Sequence, residues 1–156
     1  MRPGPLVLSL CLLLAACAAP RTAPRPGGAA TSAEVEAAVR ALIAQQQADW
    51  NAGSIRGFMD GYAQTDTLAF LSGGSMRIGW EESLYAYVRG YPDAAAMGTL
   101  TFSELTVKPL APGLALAYGR WALAREDADG AGGLFSLLVA ETEDGWRVVH
   151  DHTSSG

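Results

Sequence analysis

The run Leu114-Ala115-Leu116-Ala117-Tyr118-Gly119-Arg120-Trp121-Ala122-Leu123-Ala124 reads as a β-strand with two apolar faces. Leu114, Leu116, Tyr118 and Arg120 fall on one side, and Ala115, Ala117, Gly119, Trp121 and Leu123 on the other, because successive side chains alternate across a pleat. Both faces need a cover. Helices can supply one, and the expectation for the other is a second copy of the chain, giving a homodimer through the sheet. Outward from this run, Thr99 to Val107, Leu134 to Thr142 and Trp146 to Thr153 are also strand-like. Pro112-Gly113, a glycine-rich loop and Asp144-Gly145 separate them, which predicts an antiparallel meander. In the first of these strands Leu100 and Phe102 keep one phase while Leu105 and Val107 keep the other. A β-bulge near Ser103-Glu104, bending the sheet, accounts for that slip.

Upstream the spacing is helical. Thr31 with Glu34 makes a capping box, and Val35, Val39, Leu42, Ile43 and Trp50 recur on one stripe until Asn51-Ala52-Gly53 ends it. Ser54 caps a second, short helix through Phe58, Met59 and Tyr62. Leu68 to Leu71 and Met76 to Ile78 flank Ser72-Gly73-Gly74-Ser75, a two-glycine hairpin signal. From Trp80 a third helix carries Leu84, Tyr87, Val88 and Tyr91 and stops at Pro92. The fold class predicted is α+β, three helices packed on a curved antiparallel sheet.

The N-terminus carries an address. Arg2, the apolar stretch from Leu6 to Leu14, and Ala15-Ala16-Cys17 have the order of an export signal, and the apolar stretch is too short to span a bilayer. Leu14-Ala15-Ala16-Cys17 resembles the bacterial lipobox, which implies cleavage after residue 16 and acylation of Cys17. Three segments follow: a signal peptide at 1–16, a lipidated cysteine with a Pro/Ala/Gly tether at 17–30, and a folded domain at 31–156. Ala18, where lipoproteins retained at the inner membrane often carry Asp, points by that resemblance to the outer membrane, facing the periplasm. Cys11 leaves with the signal and Cys17 becomes a thioether, so the domain folds with neither a free thiol nor a disulfide. Of the 11 basic residues Arg2, Arg21 and Arg25 lie outside the domain, leaving eight against 16 acidic ones. An acidic domain without a basic run argues against nucleic acid as a partner.

Several stretches taken in order resemble the nuclear transport factor 2-like superfamily, which includes ketosteroid isomerase, scytalone dehydratase and the SnoaL-like polyketide cyclases. These are Asp49-Trp50-Asn51-Ala52-Gly53 leading into Gly57-Phe58, the Tyr62 helix end, Gly79-Trp80, and Gly145-Trp146-Arg147-Val148-Val149-His150-Asp151-His152-Thr153-Ser154-Ser155. Ala117-Tyr118-Gly119-Arg120 and His150-Asp151-His152-Thr153-Ser154 also resemble the association domain of calcium/calmodulin-dependent kinase II, whose corresponding arginine lies in a pocket. The resemblance implies a cone closed at one end by helices, a pocket between helices and concave sheet, and dimerisation through the convex face. Such folds host enzymes, binding modules and oligomerisation domains, so fold alone does not choose among them.

Candidate pocket residues are Gln46, Trp50, Tyr62, Phe70, Trp80, Tyr87, Tyr118 and Arg120. Six of these are aromatic and suit a planar or apolar ligand, although aromatics at core spacing also serve simply as core. Gln46, on the apolar stripe of the first helix, fits either a buried structural hydrogen bond or a pocket donor. Arg120 fits either an anion-binding fork or an ion pair with Asp60 or Glu104. His150 and His152 share the strand phase of Trp146 and Val148 and are expected to point inward if the tryptophan does. They are the candidate catalytic residues, as general acid or base, or else satisfied structural histidines. Two histidines without a third ligand do not make a metal site, and neither a metal nor a cofactor is expected. The donor and base positions that the resemblance to ketosteroid isomerase implies fall on Gln46 and around Phe70 to Ser72, which hold no tyrosine and no acid. The leading expectation is therefore a membrane-anchored domain that binds a small anionic or aromatic molecule in its cone pocket, without catalysis being assumed. A SnoaL-like lyase, isomerase or cyclase using His150 or His152 is the first alternative, and an envelope scaffold or oligomerisation module the second.

Overall fold

The computed structural model of the protein describes residues 30–126 and 129–156. The expected signal peptide at 1–16, Cys11, Cys17 and the expected tether up to residue 29 lie outside the described residues. Helix α1 (Ser32–Asn51) opens on the capping box: the Glu34 N–H donates to Thr31 Oγ1 at 3.3 Å, and the Thr31 N–H donates to the Glu34 carboxylate at 2.8 Å. Its buried stripe is Val35, Val39, Ile43, Gln46 and Trp50, steps of three and four that keep one face turned inward. Helix α2 (Ile55–Asp60) is capped by Ser54. The hairpin β1 (Ala69–Ser72) and β2 (Ser75–Ile78) turns through Gly73 and Gly74 at φ 56° and 76°. Two successive positive φ values match the right-handed twist of the strands, and glycine reaches them without a Cβ clash. Helix α3 (Trp80–Gly90) and a short helix α4 (Ala94–Met97) follow. The sequence reading passed over α4, which is too short for a periodic pattern and rests on Asp93 accepting from the Ala96 N–H at 2.8 Å.

Strands β3 (Thr99–Ala111), β4 (Leu114–Ala124), β5 (Ala131–Thr142) and β6 (Gly145–Thr153) form the meander. The six-stranded sheet has the order β2-β1-β6-β5-β4-β3, with β1 joined to β6 in parallel and all other neighbours antiparallel. The core lies between the helices and the concave face, where Ala115, Ala117, Val139 and Val148 meet Val39, Ile43 and Met59. The bulge expected in β3 is present: the register shifts between Ser103 and Thr106, and Glu104 takes φ 52°. Two further register shifts were not expected, one between Pro109 and Ala111 near the end of β3 and one in β6. Leu138 pairs with His150 but Val139 with Val148, so Val149 is an extra residue in β6 and the side-chain phase inverts beyond it.

Strand β3 ends the sheet, and a free strand edge leaves backbone groups without ladder partners. Two side chains of α1 answer them. The Leu100 N–H donates to Asn51 Oδ1 at 2.7 Å while Asn51 Nδ2 donates to the Leu100 carbonyl at 3.0 Å, and the Phe102 N–H donates to Gln47 Oε1 at 2.7 Å. The asparagine of the Asp49-Trp50-Asn51-Ala52-Gly53 stretch thus works as a clip between helix end and sheet edge. Replacing it removes both bonds at once. Asn51→Ala is expected to lower unfolding free energy by about 1–3 kcal/mol in urea denaturation; an unchanged midpoint would mean that water replaces the clip at no cost.

Candidate functional site

A cavity of about 210 Å³ opens between the helices and the concave sheet. One wall is a continuous set of rings from four elements. Trp50 on α1 packs edge-on against Phe58 at 5.1 Å and Tyr91 at 4.8 Å between centroids. Phe58 touches Tyr62 at 5.7 Å and Tyr87 at 5.4 Å, and Phe70 on β1 reaches Tyr62 at 6.0 Å and Tyr87 at 5.6 Å. Tilted and edge-to-face contacts of this kind favour a rigid lining. Phe102, Trp121 and Phe135 contribute from the sheet side.

Asp151 is the buried charged group in this lining, only 3 % exposed. The Tyr62 hydroxyl donates to Asp151 Oδ2 at 2.8 Å, and the Thr153 hydroxyl donates to Oδ1 at 2.7 Å. Burial pushes the Asp151 carboxyl up from 3.8 to about 6; the hydrogen bonds from Thr153 and Tyr62, and the nearby His150 and His152, pull the other way and limit the rise. Burial, and next the charge of Asp151, hold the Tyr62 and Tyr87 hydroxyls well above the usual tyrosine value, so both stay protonated donors. A carboxyl poised near neutrality beside a tyrosine donor can accept or release a proton, or bind a hydrogen-bond donor, within an apolar box.

Five of the eight expected pocket residues meet here: Gln46, Trp50, Tyr62, Phe70 and Tyr87. Gln46 also makes the structural bond foreseen as its alternative role, donating from Nε2 to the Phe58 carbonyl at 3.1 Å. Three residues fall elsewhere. Trp80 is buried away from the cavity, with its Nε1–H donated to the Met59 carbonyl at 2.8 Å and the Arg56 guanidinium 5.1 Å from its ring. Tyr118 lies on the convex face under Lys108 Nζ, 5.4 Å from the ring centroid. Arg120 is on that same face and is exposed, paired with Glu104 at 3.0 Å rather than aimed into the pocket. The correction follows from strand parity: Ala115, Ala117 and Leu123 are the buried set of β4, which turns Arg120 outward.

His150 and His152 are corrected as well. The extra residue Val149 inverts the phase of β6, so both imidazoles leave the inward face shared by Val148 and Asp151. His152 is exposed and His150 half-buried. The lining residues that the sequence reading left out include Asp151, Arg77, Phe58, Tyr91, Phe102, Trp121 and Phe135. Val148-Val149-His150 carries no glycine or proline to announce a bulge, so strict alternation turned the two histidines inward in place of Asp151. Among the described residues no three His, Cys, Asp or Glu side chains converge as a metal site, and no helix is long and apolar enough to cross a membrane.

No family model and no curated protein matches the sequence. Solved structures do. An NTF-2-like protein of unknown function from Shewanella oneidensis MR-1 is 36% identical over 77% of this chain and 98% of that one, with a TM-score of 0.73. A DUF3225-family protein from Pectobacterium atrosepticum SCRI1043 shares 18% identity, covering 80% of this chain and 92% of that one at a TM-score of 0.64. A putative calcium/calmodulin-dependent protein kinase II association domain from Xanthomonas campestris shares 16%, with coverage of 76% and 85% and a TM-score of 0.60. At those two identities the likeness is one of fold. Others are described as having a cystatin-like fold, the same α+β arrangement of helices on a curved sheet.

The raised Asp151 carboxyl has a consequence for stability. Between the unfolded value of 3.8 and the folded value of about 6, the native state binds more protons than the unfolded chain. Its contribution is therefore fully present below pH 3.8 and is lost as pH rises through 6. Asp151→Asn removes this dependence. Relative to the wild type, the variant is expected to gain about 3 kcal/mol between pH 3.5 and pH 7.5 in denaturant titrations; an identical difference at both pH values would refute the assignment.

Proposed function

This chain belongs to the nuclear transport factor 2-like family, and we propose that it is a membrane-anchored binding protein that takes a small aromatic or apolar molecule into its cone pocket. The observation that carries this reading is the ring-lined cavity of about 210 Å³ with Asp151 among its walls. Sites for drug-sized ligands run from ~300 to ~1,000 Å³, so a single-ring molecule suits the volume here. The rings supply apolar contact and fix the plane of the guest, and Asp151 with Tyr62 orients its polar end. Selection of an anion by Arg120 is set aside, since that guanidinium sits on the opposite face of the sheet. No catalysis is assumed.

Benzyl alcohol, a neutral single-ring probe, is expected to shift the Trp50 indole N–H resonance on titration. Tyr91→Ala opens the wall at a half-buried position and should weaken binding several-fold, whereas Arg120→Ala should leave it unchanged. If millimolar benzyl alcohol leaves the pocket resonances unmoved and native mass spectrometry of the purified protein finds no bound small molecule, the binding reading is wrong.

Anchoring and dimerisation complete the proposal. Leu14-Ala15-Ala16-Cys17 supports acylation at Cys17 and placement in the cell envelope, at the outer membrane facing the periplasm. The convex face supports pairing with a second copy, since Leu116, Tyr118 and Leu138 are half-buried there and Leu134 is 52 % exposed. Radiolabelled palmitate should enter the wild-type chain and not Cys17→Ser. Light scattering of the unlipidated Cys17→Ser protein should give twice the chain mass, halved by Leu134→Asp. Absence of label sinks the anchor, and a monomer mass at high concentration sinks the dimer.

A further inference from the structure

The registers of three neighbouring strands line up an anion, a ring and a cation. Phe70 on β1 pairs with Asp151 on β6 and, on its other side, with Arg77 on β2. Cross-strand partners share a face of the sheet, so all three side chains turn to the cavity, and all three line it. Adjacent strands are ~4.8 Å apart, which separates the backbones of Asp151 and Arg77 by about 10 Å. The Arg77 guanidinium lies 5.6 Å from the centroid of the Phe70 ring between them. Neither charge is held in a salt bridge among the described residues, although His150 and His152 lie close enough to Asp151 to favour its ionised form. Among the described residues the ion pairs join Arg40 to Glu36 and Arg120 to Glu104, and neither Asp151 nor Arg77 takes part in one. Asp151 accepts from the Tyr62 and Thr153 hydroxyls, and the Arg77 guanidinium lies over the Phe70 ring. Tyr87 feels both charges, the carboxylate raising its hydroxyl and the guanidinium lowering it.

From this row, and resting on the pocket-binding reading above, we propose that the cavity takes a small zwitterion with an apolar middle, its ammonium end at Asp151 and its carboxylate end at Arg77. Asp151 is buried and Arg77 half-buried, so the carboxylate is costly while it lacks a counter-ion, and a ligand carrying the complementary pair offsets that cost while also pairing the guanidinium. Singly charged ligands do worse on physical grounds. An anion drawn to Arg77 comes close to Asp151, and a cation drawn to Asp151 comes close to Arg77, so each brings a like-charge repulsion that the zwitterion avoids. The rings around Asp151 add favourable cation–π contact for an ammonium group. Phe70, in the middle of the row, faces the ligand's apolar centre.

The test uses 4-(aminomethyl)benzoate as zwitterion, with benzylamine, benzoate and benzyl alcohol as cationic, anionic and neutral counterparts, in calorimetric titrations of the purified protein at pH 7.5. The zwitterion should bind at least tenfold more tightly than either singly charged probe. Asp151→Asn should erase its advantage over benzoate, and Arg77→Gln its advantage over benzylamine, with folding of both variants verified by near-ultraviolet circular dichroism. If benzyl alcohol, benzylamine or benzoate binds as tightly as the zwitterion, the charge-row inference is overturned while pocket binding stands. If none of the four binds, pocket binding itself fails and takes the inference with it.

Discussion

A sheet that must enclose a cavity against one long helix has to bend, and antiparallel strands bend where an extra residue interrupts the pleat. Of the three register shifts in this sheet, the one between Pro109 and Ala111 lies at the hairpin end of β3, and two bear on the cavity, one at Ser103 to Thr106 in β3 and one at Val149 in β6. The first requires Glu104 to adopt φ 52°, a conformation that carries strain for a residue with a Cβ, and it falls opposite the buried Gly119. A Cβ on Gly119 would lie 2.8 Å from the Ser103 carbonyl, so the bulged strand closes on its neighbour only because that position is glycine. The second interruption has a different outcome. It rotates the last turn of β6 so that a carboxylate, rather than two imidazoles, faces the interior.

The buried carboxylate then organises its surroundings. Tyr62 leaves α2, pairs by its backbone with Val148, and delivers its hydroxyl to Asp151, while Thr153 fills the second oxygen. With both oxygens engaged the group is satisfied in hydrogen bonds, and among the described residues no salt bridge holds its charge. Polar groups buried in this condition are tolerated where function requires them, and here the row from Asp151 through Phe70 to Arg77 is concentrated on the inward side of three adjacent strands. The convex side is chemically separate. Its single ion pair between described residues, Arg120 with Glu104, is exposed at 55% and 70%, and exposed pairs of that kind contribute little to stability.

Much of the architecture was legible in particular residues. Thr31 and Glu34 marked the start of α1, Ser54 that of α2, Gly73-Gly74 the hairpin, and the phase slip between Phe102 and Leu105 the bulge in β3. Each is a local signal, since a cap, a tight turn or a change of alternation involves residues close in the chain. The resemblance to the nuclear transport factor 2-like family was carried by Asp49 to Gly53 leading into Gly57-Phe58, the Tyr62 helix end, Gly79-Trp80 and Gly145 to Ser155 taken in order, and the 36% identical NTF-2-like protein bears it out. Misplacement of Trp80, Tyr118 and Arg120 had a common origin: strand phase and helix stripe tell which residues share a face, not which face looks into the cavity.

By itself the sequence determined all elements but the short helix α4, their turns, the fold class and the aromatic character of the pocket wall, because those depend on short-range sterics and on hydrophobic periodicity. Only the tertiary structure decided that Asp151 faces inward, that His150 and His152 do not, and that Arg77 joins Asp151 across Phe70. The physical reason is the register between strands distant in the chain. A single unpaired residue at Val149 reverses every side chain beyond it, and that residue is identified only by the partner strand that passes it over.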